Sequence, residues 1–151
     1  MQTVFTTLSK GWNAEPNAPQ PSVRIEGTSL FLSFELNAFL FGNFEEGNWA
    51  EITFSRCSRY RLGPTNDEGW SRGRCRFSKI ASAWGEFYEV AGDLLLEKPG
   101  LEWHIACIPP QPDSKHFLFY FRDETFECEA HDWSIDFHTS SCRPSFDEAQ
   151  S

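Results

Sequence analysis

The stretch His116-Phe-Leu-Phe-Tyr-Phe-Arg-Asp-Glu-Thr-Phe-Glu-Cys-Glu-Ala-His-Asp-Trp133 carries the strongest pattern in the chain. In a β-strand successive side chains point to opposite faces. Phe117, Phe119 and Phe121 therefore share one face, and His116, Leu118, Tyr120 and Arg122 share the other. Arg122–Thr125 has the composition of a four-residue turn. Folding the chain there sets Phe121 opposite Phe126, Phe119 opposite Cys128 and Phe117 opposite Ala130, which makes an apolar ladder. The second face pairs Tyr120 with Glu127, Leu118 with Glu129 and His116 with His131. This mixed face reads either as a surface or as the lining of a pocket.

The same alternation recurs on both sides. Val23 and Ile25 alternate with charges, Gly27-Thr28 is turn chemistry, and Leu30, Leu32, Phe34 and Leu36 alternate again, which predicts a hairpin. Residues 49 to 62 read as one strand. Ile52, Phe54, Tyr60 and Leu62 lie on one face and Glu51, Thr53, Arg59 and Arg61 on the other. Residues 63 to 69 are turn residues throughout, and 70 to 77 read as the returning strand. Residues 85 to 90 and 101 to 108 read as further strands, the second stopped by Pro109-Pro110. Residues 37 to 48 read as a helical turn ending at Gly42 or as an irregular connection, and 79 to 87 as a place for a short helix. No segment shows sustained helical periodicity with caps. The fold predicted is all-β or nearly so, with about seven to nine antiparallel strands and at most one or two short helices. They close as a β-barrel or a two-sheet β-sandwich.

Composition agrees. Among 151 residues there are 15 Phe and 6 Trp but a single Met, so rigid rings must fill the interior, and rings suit strands. The length predicts one domain over 1–143, with 13–21 as a Pro-rich loop or arm and 144–151 as a flexible tail. Residues 1 to 12 lack a basic start and a long apolar run, and no window is apolar enough for a spanning helix. A cytoplasmic protein follows as the expectation, with its five cysteines as reduced thiols.

The net charge of −9 disfavours nucleic acid or an anionic membrane as a generic partner. It is unevenly spread. Residues 56 to 79 hold seven of the 13 Lys and Arg and only two acids, so this window carries +5 and the rest of the chain −14. Arg72, Arg74 and Arg76 share one strand face, and Arg59 and Arg61 share a face of the preceding strand. Whether the five coincide depends on the hairpin register, which a seven-residue loop leaves open. Like charges directly opposite destabilise a sheet, so such a face calls for anions, supplied by internal acids, a ligand or a partner.

Other motifs carry less. Gly69-Trp70-Ser71-Arg72-Gly73 matches the five-residue hydrolase pattern, with Asp132 and His138 following in order, but the strand-to-helix context of a nucleophile elbow is missing. The pairs His104/Cys107, Cys128/His131 and His138/Cys142 have ligand-like spacing, but on strands their side chains diverge or lie far apart. No catalytic residue, metal or cofactor is predicted. The leading expectation is a non-catalytic binding module that recognises an anionic small molecule or an acidic protein surface. Its predicted site is Arg59, Arg61, Arg72, Arg74 and Arg76 with Tyr60, Trp70 and Tyr120. The alternative is a small β-barrel enzyme using carboxylates and histidines on the mixed face of the 116–131 hairpin.

Overall fold

In the computed structural model, the structure is described for residues 4–64, 86–91, 104–106, 108–109, 111–121 and 124–139. Ten strands run β1 (Val4–Thr7), β2 (Ser22–Glu26), β3 (Ser29–Glu35), β4 (Trp49–Ser55), β5 (Arg59–Pro64), β6 (Phe87–Ala91), β7 (His104–Ile105), β8 (Lys115–Tyr120), β9 (Glu124–Ala130) and β10 (Asp132–His138). All pairings are antiparallel. One sheet has the order β1-β6-β8-β9-β5-β7 and the other β10-β4-β3-β2. The architecture is all-β and sandwich-like, not a closed barrel, and among the described residues there is no helix. No helix there is long and apolar enough to cross a membrane.

The described residues alone hold ten strands where seven to nine are expected, partly because the run 49–62 is not one strand. Arg56 takes a left-handed φ of 53°, which breaks the ladder. β4 stays in the small sheet and β5 enters the large one. The chain crosses again at His131, between β9 and β10. The two crossings lie side by side, with Ser58 N donating to Glu129 O (2.9 Å) and His131 N to Ser55 O (2.9 Å). The β2–β3 hairpin turns at Gly27-Thr28, with Gly27 at φ 60°, the first-position geometry that glycine supplies in a type II′ turn.

The ring-rich interior lies between the sheets. Phe54 of the small sheet packs on Phe87, Phe117 and Phe126 of the large one at 5.9, 5.2 and 5.5 Å between centroids. Phe34 meets Phe119 at 5.0 Å, edge-on, a favoured aromatic geometry. Trp12, from the segment before the Pro-rich stretch, inserts at one end and lies within 6.2 Å of Phe34, Phe87, Phe119 and Phe137. The Pro-rich segment lies along β3. Ala14 bridges Leu36, Glu15 N donates to Glu35 O, and Glu35 N donates to Pro19 O.

The opening hairpin corrects its own expected pairing. Phe121 N donates to Glu124 O, so the strands close at Phe121 and Glu124 rather than at Phe121 and Phe126. The register shifts by two positions. Phe119 opposes Phe126, Phe117 opposes Cys128, and Lys115 opposes Ala130. A shift of two keeps every side chain on its face, so the apolar ladder stays toward the core. On the other face His116 opposes Glu129, not His131, and Tyr120 opposes Thr125, not Glu127. Nor is that face a solvated surface. His116, Leu118, Tyr120 and Glu127 are all buried.

Replacing Phe119 with Ala removes a ring that touches both sheets. Its expected cost is about 3–5 kcal/mol, read as a lowered urea midpoint with an unchanged m-value. Phe39→Ser, at an exposed loop position, is expected to stay within about 0.5 kcal/mol. Equal effects from the two would contradict the core assignment.

Candidate functional site

Among the described residues, the outer face of the large sheet carries the best-defined polar cluster. β5, β9 and β8 are adjacent, and their register sets Arg59, Glu129 and His116 in one row and Arg61, Glu127 and Leu118 in the next. Gly63, Thr125 and Tyr120 form the third row. Alternation then puts all these side chains on one face. Arg59 Nη2 contacts Glu129 Oε1 at 2.8 Å. His116 Nε2 lies 2.9 Å from Glu127 Oε1, and its Nδ1 lies 3.9 Å from Glu129 Oε1. Arg61 Nη1 approaches Glu127 Oε2 at 3.6 Å. The five groups form a continuous chain of polar contacts, with His116 between the two glutamates.

Burial makes the chain consequential. The Glu127 side chain is 0% exposed and that of His116 2%. A carboxylate so placed is tolerated only with close partners. Here His116 and Arg61 lie against its two oxygens. Glu129 is less deeply set. The His116 imidazole and the Arg59 guanidinium hold its carboxyl down at about 2, against the opposing effect of partial burial.

Arg61 is bound differently from Arg59. Its side chain is 18% exposed, yet among the described residues none of its N–H donors makes a hydrogen bond. The 3.6 Å approach to Glu127 is too long for one. The guanidinium folds along its own strand over Gly63, where a Cβ would come within 2.7 Å of Nη2. Directly across the strand pair from Gly63 is Thr125, only 1% exposed, whose hydroxyl has no hydrogen-bond partner. A buried, unpartnered hydroxyl and a partly exposed guanidinium thus stand in adjacent rows.

Of the residues singled out from the sequence, the structure brings Arg59, Arg61 and Tyr120 to this face. Tyr60 alternates to the core side, where it packs against the interior and meets the His104 ring at 5.2 Å. Burial there, and then Cys57, raise its hydroxyl pKa. Trp70, Arg72, Arg74 and Arg76 lie outside the described residues, as do Ser71 of the hydrolase-like pattern and the register of the 49–62/70–77 hairpin. Asp132 and His138 sit at opposite ends of β10, about 20 Å apart at the usual strand rise, and cannot act on one atom. The sequence reading missed Gly63 and Thr125. Neither has a charge or an unusual spacing to single it out.

Other places on the molecule offer less. Among the described residues no three His, Cys, Asp or Glu side chains converge as a metal site. A groove of about 270 Å³ lined by Glu15, Glu35 and Glu46 contains no basic residue, which is the wrong sign for an anion. Cys57 and Cys128 are free and buried. Burial, followed by a hydrogen bond with Cys57, pushes the Cys128 thiol well above its usual pKa, the opposite of an activated nucleophile. No protein-family model, curated protein or solved structure matches the chain.

Cys57 and Cys128 are expected to resist a thiol reagent in the native protein and to react after unfolding. Modification of either at the rate of a free peptide thiol would contradict their burial. Glu129 has a folded-state pKa below its unfolded value of about 4.3, so its contribution to stability is present above that value and is lost as pH falls toward 2. Glu129→Gln is therefore expected to lower the urea midpoint at pH 7 and to lower it much less at a pH of about 2.5. A variant equally destabilised at both pH values would refute this linkage.

Proposed function

We propose that this protein is a non-catalytic binding module that takes up an anion on the arginine face of β5. The observation that carries this reading is Arg61. A guanidinium offers five N–H donors in a fixed fork suited to carboxylate or phosphate oxygens. This one is four-fifths buried, is held by a single long ion pair, and hydrogen-bonds to nothing among the described residues. Arg59, by contrast, already contacts Glu129 at 2.8 Å, so the recognition role rests on Arg61. The seat of its guanidinium over Gly63, on a face whose neighbours Glu127 and Thr125 are buried, favours a small molecule over a flat acidic protein surface.

A second reading, a small enzyme, draws on the His116–Glu127 pair. An imidazole oriented by a carboxylate is the arrangement of a general base, and Tyr120 lies on the same face. The burial of both members weighs against it, since a base must reach the proton it abstracts.

The test is thermal unfolding in the presence of a panel of anions, with chloride as the ionic-strength control. An anion at about 100 times its Kd adds about 2.7 kcal/mol, which raises Tm by several degrees for a chain of this size. Arg61→Gln is expected to abolish the shift and Arg61→Lys to reduce it. If no anion raises Tm in the wild type, the reading is wrong. If the only binder found is an acidic protein whose capture is lost in Arg61→Gln, the small-molecule form of the reading is wrong.

A further inference from the structure

We infer that the group recognised at Arg61 is a monoanionic carboxylate, received jointly by the Arg61 guanidinium and the Thr125 hydroxyl. This rests on the reading of Arg61 as an anion receptor and adds the chemistry of the ligand. Three features of the face lead to it.

The first is the seat of the guanidinium. Gly63 lies under Arg61 Nη2, and a Cβ there would come within 2.7 Å of it. Gly63 has no positive φ to require glycine, so the missing side chain serves the approach of the guanidinium. The second is Thr125, the cross-strand neighbour of Gly63 on the same face. Cross-strand neighbours in such a pair lie about 4.5–5.5 Å apart, so Thr125 sits next to the glycine over which the Arg61 guanidinium folds. The hydroxyl is buried and unpartnered. Leaving it so is unfavourable, and a ligand oxygen that accepts its hydrogen bond removes the penalty.

The third feature is Glu127, whose Oε2 is 3.6 Å from Arg61 Nη1. The positive charge of Arg61 is already balanced, and Glu129 lies on the same strand and face. A phosphate brings between one and two negative charges at neutral pH and meets repulsion from both glutamates. A carboxylate brings a single charge and a planar pair of oxygens that matches the fork. One oxygen accepts from the guanidinium and the other from Thr125.

The experiment titrates the full-length protein with acetate, benzoate, phosphate and sulfate at constant ionic strength. It follows the Arg61 side-chain N–H and Thr125 amide resonances, with urea unfolding of each variant in parallel. Carboxylates are expected to shift both resonances, with phosphate and sulfate at least tenfold weaker. Thr125→Val is expected to leave the ligand-free fold as stable as before or more so, because it removes an unsatisfied buried hydroxyl, while weakening carboxylate binding about tenfold. Thr125→Ser retains the hydroxyl and is expected to retain binding. Gly63→Ala displaces the guanidinium without removing it, and is expected to weaken binding by more than its urea midpoint shift accounts for, since it also disturbs the Arg61–Glu127 ion pair. Phosphate or sulfate binding as tightly as carboxylates, through Arg61, would overturn the carboxylate assignment while leaving anion binding standing. Carboxylate binding lost in Arg61→Gln but untouched in Thr125→Val and Gly63→Ala would overturn the joint site. Absence of binding by every anion would overturn both this inference and the reading beneath it.

Discussion

The ring layer between the two sheets is the constraint from which the rest of the molecule follows. Phe54, Phe87, Phe117, Phe119 and Phe126 are fully buried and pack across the gap. Trp12 joins both sheets at one end. Once Phe117 and Phe119 point inward, the period of two leaves His116, Leu118 and Tyr120 no choice but the opposite side. The same holds for Cys128 and Phe126, which commit Glu127, Glu129 and Thr125. The polar cluster is therefore a by-product of core packing in its placement, and only its internal pairing is its own.

That pairing shows how a sheet can keep charge on a buried face. Directly opposed like charges destabilise, and opposed unlike charges stabilise modestly. Here each arginine of β5 faces a glutamate of β9. His116 of β8 reaches diagonally to Glu127. Such networks seldom exceed a well-packed apolar alternative in stability, so the pairing fixes the register of β5, β9 and β8 more than it stabilises the fold.

How far the sequence could be read depended on whether a feature was local. The two faces of 116–131 were legible because alternation is a property of consecutive residues. The pairing was not, since it turned on where the hairpin closes, and turn residues suit a closure at Glu124 as well as one at Phe126. The crossing at Arg56 was hidden for a related reason. Ile52, Phe54, Tyr60 and Leu62 all face the interior, so their alternation continues on paper through a backbone that changes sheets. Trp12 lacked any periodic neighbour to mark it as core. For the candidate site, charge made Arg59 and Arg61 visible. Gly63 and Thr125 matter through what lies over and across from them, which no linear pattern records.

The paired crossings at Arg56 and His131 also bear on how the chain finds this structure. The bonds that join them link residues as distant in sequence as Ser58 and Glu129, which are 71 positions apart. Ser9 and Glu86 are 77 apart. Contacts of such separation must pay loop-closure entropy before they gain packing energy, which places sandwiches among the slower-folding small domains, on a scale of milliseconds to seconds. Until the corner forms, β4 and β5 are not fixed in their separate sheets, and the apolar faces of both remain uncovered. The corner that gives the finished sandwich its shape is thus a non-local event, and a chain in which it has not formed is open to association with other copies of itself.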